Sequence, residues 1–354
     1  MPRLARLALL TGLALILLLV LVTAGVAGLL ASERGTRWMA GLAVDRLGVD
    51  LRWAELRGSL WRRVELSGLE FEQPGLRLSA ASAALAWEPG ALLGGELRIS
   101  ALTVQDAQLV ISESEEDTSP AGAFDPAAFR LPLDVVLSGV AFERVTVVMP
   151  DDVEQVIDSF TLAAGFRGDQ LELSALELRL PDKGLSLSGS AGLRPTMPVA
   201  LTLQADGLLP AQATADGPRP PQRVAAQLSL DGTVEWQDAA IAAALDYRFA
   251  IRGAEGLVPE LPDRIAAGGQ LSARQQGDEL AIDTATLALD DALLALRLRA
   301  TISGTTTANP TLSAELDWEA LRWPLDTTTA PLFASDNGRI SVTGRASDYR
   351  LALA

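Results

Sequence analysis

The chain offers few side chains that could catalyse a reaction. Its 354 residues include no histidine and no cysteine, and Lys183 is the single lysine. The commonest general base, the thiol nucleophiles and the usual ligands of zinc, iron and copper are therefore missing. The sequence also lacks GxSxG, GxGxxG and P-loop patterns. We expect a protein that is not an enzyme and that uses no cofactor and no metal.

Adjacent carboxylates are the remaining candidates for acid–base chemistry. The sequence contains Asp151 next to Asp152 and Asp290 next to Asp291, and a hydrolase could use such a pair. Neighbouring residues of a strand point to opposite faces, so neither pair would converge on one substrate. We interpret both pairs as turn residues. The acidic segment 113–120 lacks the spaced ligands of a calcium loop and is interpreted as a solvated loop.

The charge of the chain excludes one class of partner. The net charge is −16 at pH 7, and no basic cluster occurs beyond the extreme N-terminus. Binding to nucleic acid requires clustered lysine and arginine to neutralise phosphates. We therefore expect no nucleic-acid partner. The lack of cysteine suits an oxidising compartment but does not require one.

An uncharged segment near the N-terminus is long enough to cross a bilayer. Residues 7–31 would form a helix of about 37 Å, against a hydrocarbon core of about 30 Å. We interpret this segment as an uncleaved transmembrane anchor, with residues 1–6 in the cytoplasm and the rest exported. The alternative is a cleaved signal peptide, for which Gly25-Val26-Ala27 offers a small-x-small site. Both interpretations place the bulk of the chain in the periplasm.

Residues 36–48 show apolar side chains near helical spacing and predict a short amphipathic helix at the membrane exit. In one interpretation Trp38 lies at headgroup depth and, with Arg3 and Arg6, anchors the chain at the membrane interface. In the other, the helix plugs the end of a β-structure. The sequence leaves both interpretations open.

From residue 49 onward the hydrophobic period changes to two, which is typical of strands with one apolar and one polar face. Clear examples are residues 171–174, 176–180, 245–252 and 293–302. Glycine and aspartate punctuation predicts tight turns between antiparallel strands at Asp182-Lys183-Gly184, Asp231-Gly232, Gly277-Asp278 and Asp336-Asn337-Gly338. Residues 209–223 are rich in proline and predict a linker.

The sheet must hide its apolar face against another layer or a ligand. Apolar residues make up 49% of the chain but aromatic residues only 5%, and the sequence shows no set of amphipathic helices that could cover the sheet. Two arrangements remain. Either the sheet closes over a dry core, which composition alone favours, or it curls partway and leaves an apolar trough.

Several short motifs occur in an order that resembles a known family. They are GSLW at 58–61, LSGL at 66–69, EQPGL at 72–76, LRWPL at 321–325 and TGRASDY at 343–349. Together they resemble the N-terminal part of the TamB family of AsmA-like, bridge-like lipid-transfer proteins. The resemblance runs through essentially the whole chain, although none of these motifs is specific alone.

The resemblance implies a fold and a function. The implied fold is mainly β, with residues 49–354 forming an elongated, curled antiparallel sheet around an apolar groove. The implied function is phospholipid transport between the inner and the outer membrane through the apolar groove, without catalysis, as part of a translocation and assembly module. The alternative is a periplasmic scaffold for outer-membrane protein assembly and secretion.

The family also implies partners. They are the inner membrane, phospholipids and the outer-membrane barrel protein TamA, which would be contacted through a C-terminal domain that has no counterpart here. Family members are far longer, so we expect that the chain is truncated at its C-terminus.

One parity of the alternating strands would line the groove. The candidates for this lining are Leu171, Leu173, Leu178, Leu180, Leu245, Tyr247, Phe249, Leu294, Leu296 and Leu298. The same spacing would suit an ordinary core.

Overall fold

The computed structural model describes most of the chain from residue 32 onward. It covers residues 32–354 except 48–49, 74, 113–130, 152, 210–211, 215–216, 220, 238–239, 257–260, 291–293, 306–308, 326–329 and 346. The predicted anchor, Arg3, Arg6 and the acidic segment 113–120 lie outside the described residues. None of the helices in the described part combines the length and the apolar character that a bilayer span requires.

The described residues are mainly β, which confirms that part of the predicted fold. Helix α1 spans Glu33–Leu47, and single 3-10 turns span Pro89–Gly94 and Ala254–Gly256. The strands are β1 (Asp50–Arg52), β2 (Glu55–Ser59), β3 (Arg63–Gln73), β4 (Leu76–Trp87), β5 (Glu96–Ile111), β6 (Asp134–Val148), β7 (Glu154–Arg167), β8 (Gln170–Leu180), β9 (Lys183–Gly192), β10 (Thr196–Leu209), β11 (Gln212–Thr214), β12 (Gly217–Arg219), β13 (Gln222–Gln237), β14 (Ala240–Arg252), β15 (Arg264–Gln276), β16 (Glu279–Leu289), β17 (Ala295–Ser303), β18 (Thr311–Trp323), β19 (Phe333–Arg345) and β20 (Asp348–Leu353).

The chain divides into two compact units. The first unit comprises residues 1–120 and 133–163, and the second comprises residues 121–132 and 164–354. Within the described residues, the first unit therefore holds α1 and strands β1–β6. The second unit holds strands β8–β20, and β7 contributes to both units.

The sequence predicts an antiparallel sheet, but the strands of the first unit are not all antiparallel. Strands β1 and β2 both pair with β3, and the antiparallel ladder continues through β4 to β5. Strand β6 then pairs with β5 in parallel, from Glu96 opposite Asp134 to Val110 opposite Val148. The prediction of an antiparallel sheet is wrong for this pair. Residues 112–133 supply a connection of the length that a parallel crossover needs.

Neighbouring strands of the first unit share an irregularity at one level. At this level one residue of each strand has no partner in the strand register. These residues are Gly68 in β3, Ala81 in β4, Asp106 in β5 and Arg144 in β6. At this level Gly68, Asp106 and Arg144 have φ values of 59°, 52° and 54°. Each skip shifts the apolar positions of a strand by one residue, as a β-bulge does. Strict alternation in the sequence therefore cannot assign the faces of these strands.

The skipped residues of β5 and β6 are held together on the polar side. The Arg144 guanidinium donates to both carboxylate oxygens of Asp106, at 2.6 and 2.9 Å. This hydrogen bonding holds the pKa of the Asp106 carboxyl below its ordinary value. The ion pair lies in water, so it fixes geometry more than it adds stability.

A small apolar cluster forms on the other side of the first unit. Ala80, Val104, Ala107 and Val145 are buried there. Cross-strand rows such as Leu69, Ala80, Ala107 and Val145 remain apolar from β3 to β6 because all four strands skip a residue at the same level.

Helix α1 packs against the turn between β2 and β3. Thr36 is 1% exposed, and its hydroxyl donates to the Ser32 carbonyl and accepts from the Leu60 amide, both at 3.0 Å. The indole of Trp87 donates to the Leu60 carbonyl at 2.6 Å. The sequence predicts a helix over residues 36–48. The helix begins at Glu33 instead, so Thr36 lies inside it and contacts the sheet.

We expect Thr36→Val to destabilise the contact between α1 and the sheet by about 1–3 kcal/mol, because the partly buried Leu60 amide would lose its acceptor. Urea denaturation of the full chain and hydrogen exchange of α1 would measure this loss. Thr343→Val is the control, because Thr343 is exposed on strand β19 and should shift the free energy of unfolding by no more than about 0.5 kcal/mol. Equal losses in the two variants would contradict the role of the Thr36 hydroxyl.

The second unit is one antiparallel ladder. Strands pair in the order β8, β9, β10, β13 and then consecutively to β20. The proline-rich segment predicted as a linker instead contains the hairpin β11–β12. This hairpin leaves the ladder after Leu209, which pairs directly with Gln222.

Two of the predicted turns are wrong. Asp231-Gly232 lies inside β13 and Asp336-Asn337-Gly338 lies inside β19. Both glycines serve close packing within the sheet. A Cβ atom on Gly232 would lie 2.1 Å from the Ala244 carbonyl oxygen, and one on Gly338 would lie 2.1 Å from the Trp318 ring.

Candidate functional site

The register of the second unit brings apolar side chains from many strands onto one face, here called the apolar face. One cross-strand row shows this most directly. It runs from β8 to β20 through Leu171, Ala191, Val199, Gly232, Leu245, Leu271, Ala285, Leu298, Leu316, Ile340 and Leu353. Every position in this row is apolar or glycine. The row therefore continues without a polar interruption across the paired strands.

Most of the predicted lining residues lie on this face. Leu171, Leu173, Leu178 and Leu180 of β8, Leu245, Tyr247 and Phe249 of β14, and Leu296 and Leu298 of β17 share it through the register. Leu294 precedes β17 and is buried. Odd and even positions of β8 reach the same face because its ladder shifts between Leu173 and Leu176.

Other residues of the apolar face were missed by the sequence interpretation. Leu201 and Leu203 of β10 pair with Leu230 and Leu228 of β13, and the latter two pair with Tyr247 and Phe249. The sequence does indicate them, because apolar and polar residues alternate along both strands. What the sequence does not show is which parity of one strand meets which parity of the next.

Side chains of the apolar face are only partly covered. Leu201, Leu203, Leu228, Leu230 and Leu298 are all half-buried, whereas the core of a sandwich would bury such leucines fully. In strands β8–β20 the buried apolar side chains are Ala266, Ala267, Ala281 and Trp318. The face thus keeps apolar surface that no layer of the described residues removes from water.

The opposite face of the second unit is polar. Ser186, Ser188 and Ser190 of β9 point to it. Farther along, Arg339 lies 2.6 Å from a carboxylate oxygen of Glu315 and 2.5 Å from one of Asp317. The hydrogen bond to Asp317 raises the pKa of Arg339 above its ordinary value. This face is suited to contact with water. The sheet of the second unit therefore has one apolar and one polar face.

Among the described side chains of strands β8–β17, Lys183 is the only charged one on the apolar face. It begins β9, opposite Leu180 of β8 and Gly207 of β10. It borders a cavity of about 410 Å³ whose other lining includes Leu178, Leu185 and Leu209. Lys183 therefore lies at a pocket whose lining is apolar or glycine except for Lys183 itself and Asp206.

Aromatic rings on the apolar face occupy space that glycines leave free. The Tyr247 hydroxyl donates to the Thr286 carbonyl at 2.6 Å, and burial raises the pKa of this phenol. Gly269 lies opposite Tyr247 in the ladder. The Trp318 indole donates to the Ser335 hydroxyl at 3.0 Å, beside Gly338. The rings are thus fixed by hydrogen bonds to neighbouring strands.

Only one member of each carboxylate pair considered for acid–base chemistry lies among the described residues. Asp151 lies in the turn between β6 and β7, and Asp290 directly follows β16. Asp152 and Asp291 are outside the described residues. The interpretation of both pairs as turn residues stays a prediction.

Comparison with known proteins points to a family. A family model described as TamB, N-terminal domain, matches residues 20–153 and again residues 123–251. These matches together span more than half of the chain. No solved structure matches the chain.

Proposed function

Because the chain belongs to the TamB family, we propose that its apolar face carries phospholipid acyl chains between the inner and the outer membrane, without catalysis. The continuous apolar row from Leu171 to Leu353 is the observation that supports this proposal most strongly. Acyl chains would lie across this face while the headgroups stay in water.

Physical chemistry makes the continuity of the face more important than any one residue. Each methylene removed from water contributes about 0.8 kcal/mol, so the two chains of a phospholipid gain many kcal/mol on an apolar surface. A polar interruption of that surface would leave part of the acyl chains in water, so part of this favourable free energy would be lost. The half-buried leucines of the apolar face offer such a surface, and the polar opposite face keeps the sheet solvated.

The same proposal places the protein in the cell. It is held at the inner membrane by residues 7–31 and exposes the described residues to the periplasm. There it acts within a translocation and assembly module together with the outer-membrane barrel protein TamA. Family membership supports these placements.

Photocrosslinking tests the proposal in the full chain. Benzoylphenylalanine would replace Leu228 on the apolar face or, as the matched control, its neighbour Gln227 on the polar face. Leu228 pairs with Leu203 and Phe249, whereas Gln227 is exposed on the other side. We expect phospholipid adducts in host membranes from the Leu228 probe, at a yield at least about tenfold above the Gln227 probe, since adjacent strand residues face opposite ways.

The same experiment separates the alternative function. Adducts of the Leu228 probe with unfolded outer-membrane proteins, in the absence of lipid adducts, would favour a scaffold that assists their assembly. Equal lipid yields from both probes, or no lipid adduct from either, would contradict lipid transport along this face.

A further inference from the structure

One corner of the first unit exposes large apolar side chains. Trp38 of α1 is 61% exposed and Trp61 of the β2–β3 turn is 44% exposed. Leu92 and Leu93, in the 3-10 turn after β4, are 42% and 95% exposed. All four lie in, or directly after, elements that meet at the β2–β3 turn, and exposed apolar side chains of this size often mark an interaction site. We call these four residues the apolar corner.

Hydrogen bonds through Leu60 hold the parts of this corner together. The Leu60 amide donates to Thr36 of α1, and the Leu60 carbonyl accepts from Trp87 at the end of β4. Trp61 directly follows Leu60, and the turn Pro89–Gly94 directly follows Trp87 and Glu88. The exposed side chains thus belong to one local structure.

The corner also carries uncompensated positive charge. Arg34 and Arg62 have no carboxylate within 4 Å among the described residues. The acidic neighbours are already paired, Glu33 with Arg37 and Glu88 with Arg98. Arg34 shares α1 with the exposed Trp38, and Arg62 follows the exposed Trp61. Cations beside tryptophan match the headgroup region of an anionic bilayer.

We propose that the apolar corner is seated in the surface of a lipid bilayer. Leu92 and Leu93 enter the boundary of the acyl region, Trp38 and Trp61 lie at headgroup depth, and Arg34 and Arg62 pair with lipid phosphates. The position in the chain supports a bilayer as the occupant, because the uncharged residues 7–31 end directly before Ser32. The proposal does not depend on what travels along the apolar face of the second unit.

The absence of cysteine allows a direct test, because one introduced thiol can carry one probe. The full chain with Leu93→Cys is labelled with an environment-sensitive fluorophore and reconstituted in vesicles of phosphatidylethanolamine and phosphatidylglycerol. Gln73→Cys is the control. Gln73 is exposed at the far end of β3, about 34 Å along the strand from Arg63.

We expect the Leu93 probe to emit at shorter wavelength than the Gln73 probe and to be quenched by lipids that carry a spin label near the headgroup. Arg34→Gln combined with Arg62→Gln should reduce this quenching about two- to fivefold in vesicles rich in phosphatidylglycerol. Equal emission and equal quenching of the two probes would overturn the proposal. A blue-shifted Leu93 probe that spin-labelled lipids fail to quench would also overturn it, because the probe would then be buried against protein.

Discussion

We expect Leu296→Asp to lower the yield of phospholipid adducts at the Leu228 probe at least about tenfold while the chain stays folded. Leu296 lies on the apolar face between Leu287 of β16 and Trp318 of β18. A carboxylate there would have to be neutralised or kept hydrated, and either requirement costs several kcal/mol on the surface that we propose acyl chains cover. The expected loss therefore concerns lipid, because a half-buried position of an uncovered face can still hydrate the carboxylate when no lipid is bound.

Thr301→Asp on the same strand is the matched control. Thr301 pairs with Ala281 and Ser313 and points to the polar face, so its carboxylate lies on the side opposite to the apolar face. We expect lipid adducts at the level of the parent chain. Far-ultraviolet circular dichroism and the urea midpoint would establish that both variants fold. Unfolding by Leu296→Asp would indicate a packed core behind the face, and unchanged lipid adducts in a folded Leu296→Asp chain would mean that lipid does not cross this row.

Period-two patterning was sufficient to predict the mainly β fold, because alternation reports burial of one side of a strand. It could not predict that β6 pairs with β5 in parallel, since strand direction depends on how the chain crosses over rather than on the pattern within a strand. It also could not reveal the skipped residues Gly68, Asp106 and Arg144. The unpaired residues of neighbouring strands lie at the same level of the sheet. That alignment depends on pairing between residues that are far apart in the sequence.

The candidate lining residues also include some that the sequence pattern reveals and others that it does not. Leucines such as Leu171 and Leu298 carry a clear alternating signal, and the structure places both on one face. Small residues of the same row, such as Gly232 and Ala285, carry almost no signal, although they are needed for its continuity. Asp231-Gly232 has the sequence of a turn, but the close approach of the Ala244 carbonyl explains why glycine occurs inside a strand.

Gly269→Ala is expected to destabilise the second unit by about 3 kcal/mol, because the added methyl group meets backbone that cannot move away without breaking the ladder. The new Cβ atom would lie 1.7 Å from the Thr286 carbonyl oxygen and 2.9 Å from the Tyr247 hydroxyl. Relief of this clash must displace Thr286, and with it the acceptor of the Tyr247 hydrogen bond. The free energy of unfolding from urea denaturation measures the loss.

Gly165→Ala in β7 separates this clash from the general effect of adding a methyl group to a strand. A Cβ atom at Gly165 would have the end of the Arg167 side chain as its nearest neighbour, at 3.9 Å. Alanine there should leave stability unchanged or raise it slightly, since glycine costs conformational entropy in a strand. A Gly269→Ala chain as stable as Gly165→Ala would mean that β15 and β16 do not approach as closely as described. The placement of Tyr247 on the apolar face would then need a different support.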